Sequence, residues 1–228
     1  MKKLVAFALC AAALLGAPAA SAAVVTFATR AAFEAAIGGS NGGETFNGFL
    51  ADATFQNATV AANNMQITGA PGANAAATNK IDAPPLAFAG GYSFDGTSEL
   101  LGDLSGSQKI RIDFLAAVSA WGADFVGFAD GARNTQIQFY TAGDVLVGAI
   151  MGAASAANSK EFYGIGFDTP AAYALVGFNT SGIDVFAMDN VAFKTAPPAV
   201  PLPGALPLFA AGLLGLGFAR RRKAAPRR

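Results

Sequence analysis

Asp184, Asp189 and Asn190 stand close together near the end of an apolar stretch, and Asp95, Asp124, Asp130 and Asp168 are spread through the rest of the chain. Their side-chain oxygens are the donors that Ca²⁺ takes, ~6 to 8 at a time. No loop has EF-hand spacing, so this reading rests on composition, and Asp and Asn are equally the ordinary residues of turns. Trp121, Tyr140, Tyr163 and Tyr173 could each lay a flat ring against a sugar, while 19 Phe argue that much of the aromatic content is core. The acidic residues are scattered singly, many beside Gly. Glycoside hydrolysis would need two carboxylates ~5 to 10 Å apart across a cleft, which makes a carboxylate-based hydrolase the weakest of the functional readings. His is absent and the one Cys is Cys10. Ser-His-Asp and Cys-His catalysis and His or Cys zinc sites are therefore excluded, and no catalytic residue is assigned.

The segments that must hold these side chains read as short strands between Gly, Asn, Asp and Ser. Lys109 to Phe114 and Thr135 to Phe139 alternate polar and apolar residues, the period of a strand with one wet face. Gly143 and Asp144 supply a turn before Val145-Leu146-Val147, which predicts a hairpin with 135–139. Further strands are expected at Val24 to Phe27, Glu44 to Phe49, Met65 to Thr68, Val118 to Val126, Glu161 to Phe167, Tyr173 to Phe178 and Ile183 to Phe193. One helix is expected from Arg30 to Ile37, capped by Thr29, with Phe33 and Ile37 on one face. Ala51 to Pro85, rich in Ala, Asn and Gly, reads as loop around one or two weak strands. The spacing points to an all-β fold, an antiparallel β-sandwich of jelly-roll-like type with one short N-terminal helix.

The ends of the chain differ from this body. Lys2-Lys3, the apolar run Leu4 to Leu15, Pro18 and the small-residue site Ala20-Ser21-Ala22 before Ala23 form a secretory signal peptide over 1–22, and Cys10 leaves with it. The body occupies 23–194, a proline-rich tether 195–205, and an apolar helix with a basic tail 206–228. A helix from 207 to 219 would rise only ~18 to 20 Å, short of the ~30 Å hydrocarbon core, so it spans weakly before stopping at Arg220, Arg221, Arg222 and Lys223. The net charge of zero hides a division: all 15 acidic residues and seven of the basic ones lie in the body, leaving it eight charges negative. The remaining cations flank it, as expected when both ends first face the cytoplasm and the body is translocated between them. Nucleic-acid binding is excluded, since a phosphate-binding surface needs an excess of Lys and Arg.

The order Val200-Pro201-Leu202-Pro203-Gly204, then a small-and-leucine helix, then Arg220 to Lys223 resembles the PEP-CTERM sorting signals of Gram-negative bacteria, in the variant that reads VPLPA. The resemblance implies a substrate of an exosortase, a membrane protease with a cysteine nucleophile, after export by the Sec machinery and signal peptidase. It further implies transient anchoring in the inner membrane and release or re-attachment at the cell surface or outside it. Phe162-Tyr163-Gly164-Ile165, Tyr173 to Phe178 and Met188-Asp189-Asn190-Val191-Ala192-Phe193 resemble β-sandwich domains found ahead of such tails, and lectin or carbohydrate-binding jelly rolls. The expected function is thus a non-catalytic surface or extracellular-matrix protein. The alternative is a calcium-dependent carbohydrate-binding module that meets extracellular polysaccharide.

Overall fold

The computed structural model describes residues 23–72, 79–86, 94–130, 133–153, 159–178 and 180–197. Ala20, Ala22, the Val200 to Gly204 motif, the apolar run after it and Arg220 to Lys223 lie outside these residues. Among the described residues no helix is long and apolar enough to cross a membrane. Packing separates a unit ending at Ala196 from one beginning at Pro197, and of the second only Pro197 is described.

The elements run β1 Val24–Phe27, α1 Arg30–Ile37, β2 Gly42–Glu44, β3 Ala53–Thr54, β4 Thr59–Ala62, β5 Met65–Gly69, β6 Lys80–Asp82, β7 Glu99–Gly106, β8 Lys109–Val126, β9 Gln136–Tyr140, β10 Leu146–Met151, β11 Lys160–Gly177 and β12 Thr180–Thr195. All strand pairings are antiparallel. One layer has the order β4-β5-β8-β11-β9-β10. The other runs β1-β11-β8-β12-β7-β6-β3, with β2 beside the end of β12.

Strands β8 and β11, each 18 residues long, belong to both layers. The first part of β8 pairs with β5 and with the end of β11, and its second part pairs with β12 and the start of β11. The sequence reads each of these strands as two, because alternation fails at Leu115 to Ala117 and at Asp168 to Pro170. The structure joins them through register shifts between Gly166, Ala171 and Tyr173. Pro170, which has no N–H to give a ladder, sits where the pairing is broken.

Other expectations hold or shift for local reasons. The hairpin forms as β9 and β10, with Asp144 taking the left-handed φ of 60° at its turn. The helix spans the expected residues. The Thr29 hydroxyl accepts from the Ala32 N–H at its start, and Gly38 closes it at φ 67°. The strand expected over Glu44 to Phe49 is corrected: it ends at Glu44, whose carboxylate accepts the Phe46 N–H at 2.6 Å while Phe46 turns to φ 57°. Strand β7 was not foreseen, since its first six residues are all buried and show no alternation. Ala51 to Pro85 holds β3 to β6, more strand than expected.

The core lies between the layers. Trp121 on β8 packs on Phe139 of β9 with centroids 5.4 Å apart, and Phe139 on Phe167 at 4.9 Å. Gly102 is required where β7 meets β12, because a Cβ there would enter the Phe186 ring. A smaller cluster of Phe33, Ala120, Phe162 and Ala192 docks α1 on the outside of the second layer. Phe33 is the buried anchor of that helix. Phe33→Ala should therefore cost ~3 to 5 kcal/mol in urea unfolding, and Thr29→Ala about 1 kcal/mol. Equal costs for the two would contradict docking through Phe33.

Candidate functional site

Alternation along three strands of the first layer sends Ile112, Ile137, Phe139, Ala174 and Val176 to the core and their neighbours outward. Register then sets the outward residues in rows. Gln66, Asp113, Tyr173, Tyr140 and Leu146 form one row across β5, β8, β11, β9 and β10. Thr68, Arg111, Leu175, Gln138 and Ala149 form the next. Lys109, Gly177, Gln136 and Met151 form a third.

Side-chain contacts tie these rows into one surface. The Arg111 guanidinium donates to both Asp113 oxygens at 2.7 to 2.9 Å and lies 3.7 Å from the centre of the Tyr173 ring. Asp113 holds that guanidinium still more firmly protonated than usual. Tyr140 stacks on the other face of Tyr173, centroids 5.1 Å apart and planes within 9°. The Tyr173 hydroxyl donates to Asp144 at 2.8 Å, and burial pushes its pKa up. Tyr140 donates to Gln138, whose amide donates to Gln136 at 3.0 Å. The result is a flat strip of amide, carboxylate, guanidinium and hydroxyl groups around an upright aromatic pair. Such a strip can exchange hydrogen bonds with a polyhydroxylated ligand.

The sequence anticipated Tyr140 and Tyr173 separately but not their contact. Sugar stacking on Tyr173 is corrected, because Arg111 and Tyr140 cover its two ring faces and it is 6% exposed. Trp121 is corrected as well: it is fully buried against Phe125 and Phe139, and no ring face reaches solvent. Tyr163 lies in the other layer at the core margin, edge-on to Phe125 and Phe128. Its hydroxyl donates to Glu161 and accepts the Ala153 N–H, and burial raises its pKa. With Lys160 and Glu161 it lines a shallow groove of ≈ 320 Å³.

The oxygen ligands expected to gather for Ca²⁺ are dispersed. Asp184 points to the core side of β12, opposite Leu104, and accepts from the Ala129 N–H at 3.0 Å and from Thr135. Asp189 points to the other side, ~16 Å further along the strand. Asn190, at φ 51°, donates its N–H to Asp189, and its carbonyl accepts from the Arg30 guanidinium. The set Asp184, Asp189 and Asn190 is thus corrected, and among the described residues no three acidic side chains are placed to hold a metal ion.

Asp189 instead joins a line of carboxylates that sequence reading missed. Asp124 opposes Asp189 on β8 and β12, Glu99 opposes Asp82 on β7 and β6, and Glu99 falls beside Asp189 in the register of β7 with β12. Arg30 closes one end on Asp124 at 2.9 Å and Lys80 the other on Asp82 at 2.7 Å. Between them burial, with mutual repulsion, pushes Glu99 up to about 8 and Asp189 to about 7.

No protein-family model matches the chain, and neither does any curated protein. Among solved structures it is similar to the CBM32 of AlyQ in complex with 4,5-unsaturated mannuronic acid, with a TM-score of 0.27 and 23% identity over 42% of this chain and 78% of the other. It is also similar to the CBM22-1–GH10 modules of a Clostridium thermocellum xylanase complexed with xylohexaose, with a TM-score of 0.34 and 10% identity. That likeness takes in 71% of this chain and 29% of the other. Both scores are too low for either neighbour to carry an argument about this chain.

The carboxylate line makes stability depend on pH. Folding raises Glu99 from 4.5 to about 8 and Asp189 from 3.8 to about 7, so the folded state holds protons that the unfolded chain releases. That stability is present in full below the unfolded values and is lost as pH rises through the folded ones, by on the order of a few kcal/mol. Urea unfolding in EDTA at stepped pH should show the decline, and Glu99→Gln with Asp189→Asn should flatten it. Stability that holds level or climbs across this window would contradict the assignment.

Proposed function

We propose that the body is a non-catalytic carbohydrate-binding module, exported and displayed at the cell surface or in the extracellular matrix. What supports the binding part is one observation: five outward side chains, Gln66, Arg111, Asp113, Gln136 and Gln138, stand in register around the Tyr140–Tyr173 pair on a wet sheet face. Sugars are recognised by planar polar groups held rigidly beside aromatic edges, and here contacts within the strip hold Arg111, Asp113, Gln136 and Gln138 in place. Asn47, Phe49, Leu50, Pro84, Gly96, Thr97 and Ser98 line a groove of ≈ 450 Å³, but it offers fewer fixed polar side chains.

The display part rests on the tail, where VPLPG, the weak apolar helix and Arg220 to Lys223 follow one another. An exosortase-type protease would read it after the Sec machinery and signal peptidase have exposed Ala23.

A glycan array of the mature protein should give specific hits, and Gln138→Ala combined with Tyr140→Ala should weaken them about tenfold, ~1.4 kcal/mol, with circular dichroism unchanged. Unaltered binding by that variant would remove the strip from the site. Signals abolished by EDTA would add a cation to the reading. Intact-mass analysis of the protein from its native host should find Ala23 at the N-terminus and a C-terminus between Val200 and Gly204. A chain still ending at Arg228 in the inner membrane would leave the tail a plain anchor. Neutralising Arg220, Arg221, Arg222 and Lys223 should impair processing, because the positive stop holds a weak span in place.

A further inference from the structure

The geometry points to a neutral, unbranched polysaccharide, gripped along its length and lying across the strands, as the ligand of this face; the inference rests on the carbohydrate reading of the same strip. Its first ground is spacing. Neighbouring strands are ~4.8 Å apart, close to the repeat of an extended pyranose chain, so a chain crossing the strands sets successive sugars over successive strands. The rows from Gln66 to Leu146 and from Thr68 to Ala149 offer hydrogen-bonding groups on β5, β8 and β9 at that interval, with the Tyr173 edge on β11. From β4 to β10 the face is ~24 Å wide, room for about five rings.

The second ground is charge. Arg111 is closed by Asp113 and by the Tyr173 ring, and the Lys109 ammonium sits 4.3 Å from the centre of the Phe178 ring. Asp144 is taken by the Tyr173 hydroxyl. Among the described residues of the strip each cation therefore already has a partner, and a body with eight excess negative charges repels a polyanion. A uronate or sulfated chain would have to compete with Asp113 for Arg111 or draw Lys109 off the Phe178 ring to find a counterion.

The third ground is shape. With Tyr173 clamped between Arg111 and Tyr140, its ring presents an edge and a polar tip, so a chain lies along the strip rather than stacking on that ring. Beyond Tyr140 the exposed Leu146 and Met151 continue the rows as an apolar shoulder, suited to the C–H face of a sugar.

Isothermal titration of the mature protein with di- to hexasaccharides of the neutral polymer that scores on the array, and with uronate oligomers, separates the outcomes. Affinity should rise about tenfold or more from the disaccharide to the pentasaccharide and then level off, without change between low and high salt. Gln66→Ala, at the far end of the strip, should weaken the pentasaccharide several-fold, with the melting temperature showing that the variant is folded. Affinity independent of length, or salt-sensitive preference for uronates, would overturn this inference and leave the carbohydrate reading standing. Failure of every glycan to bind would overturn that reading itself.

Discussion

Two long strands shared by both layers are the constraint on which everything else depends. A sheet of many strands twists and must close or fold to bury its apolar side. Here β8 and β11 run through the fold of the sheet together, and their ladder breaks near Pro170 and is recovered at Tyr173. Because the same two strands carry the core face of each layer, Trp121 on one half meets Phe139 from across the sandwich. The break also frees the outward residues of each half to face different surroundings. On one half they are Arg111, Asp113 and Tyr173, and on the other Asp124, which lies under α1 and its Arg30.

That division separates a wet face from a covered one. In the first layer the outward polar groups stay near solvent and partner one another, which costs little and leaves hydrogen-bonding capacity for a ligand. In the second, the outward carboxylates of β6, β7 and β12 are buried, and burying charge is costly unless it is paired or neutralised. The chain places a cation at each end of the carboxylate line, Arg30 and Lys80, and the two middle groups respond by taking up protons near neutral pH. The Arg30–Asp124 pair at one end of the line ties α1 to the outside of the sandwich, away from the polar strip.

The rigidity of the strip follows from pairing within it. Arg111 cannot swing freely while Asp113 takes it in a fork and Tyr173 covers it, and Tyr173 cannot turn while Asp144 holds its hydroxyl. A surface of this kind has lost much side-chain entropy before a ligand arrives, which lowers what ordering costs on binding.

The sequence by itself determined what depends on neighbours in the chain. The alternation in Lys109 to Phe114 put Arg111 and Asp113 on the wet side; Thr29 and Phe33 placed the helix; Gly143 and Asp144 made the hairpin. It also determined the absence of His and the charge of the body, and so the chemistries that are closed to it. Tertiary structure decided what depends on pairing between distant segments. Nothing local to Tyr140 and Tyr173 sets their strands side by side in the register that stacks them, and nothing local to Trp121 distinguishes a core ring from an exposed one. Strand β7 escaped for the same reason, because both its faces are covered and alternation disappears. Side-chain periodicity records only whether one face of a segment meets water, while register and depth are fixed by which strands close over it.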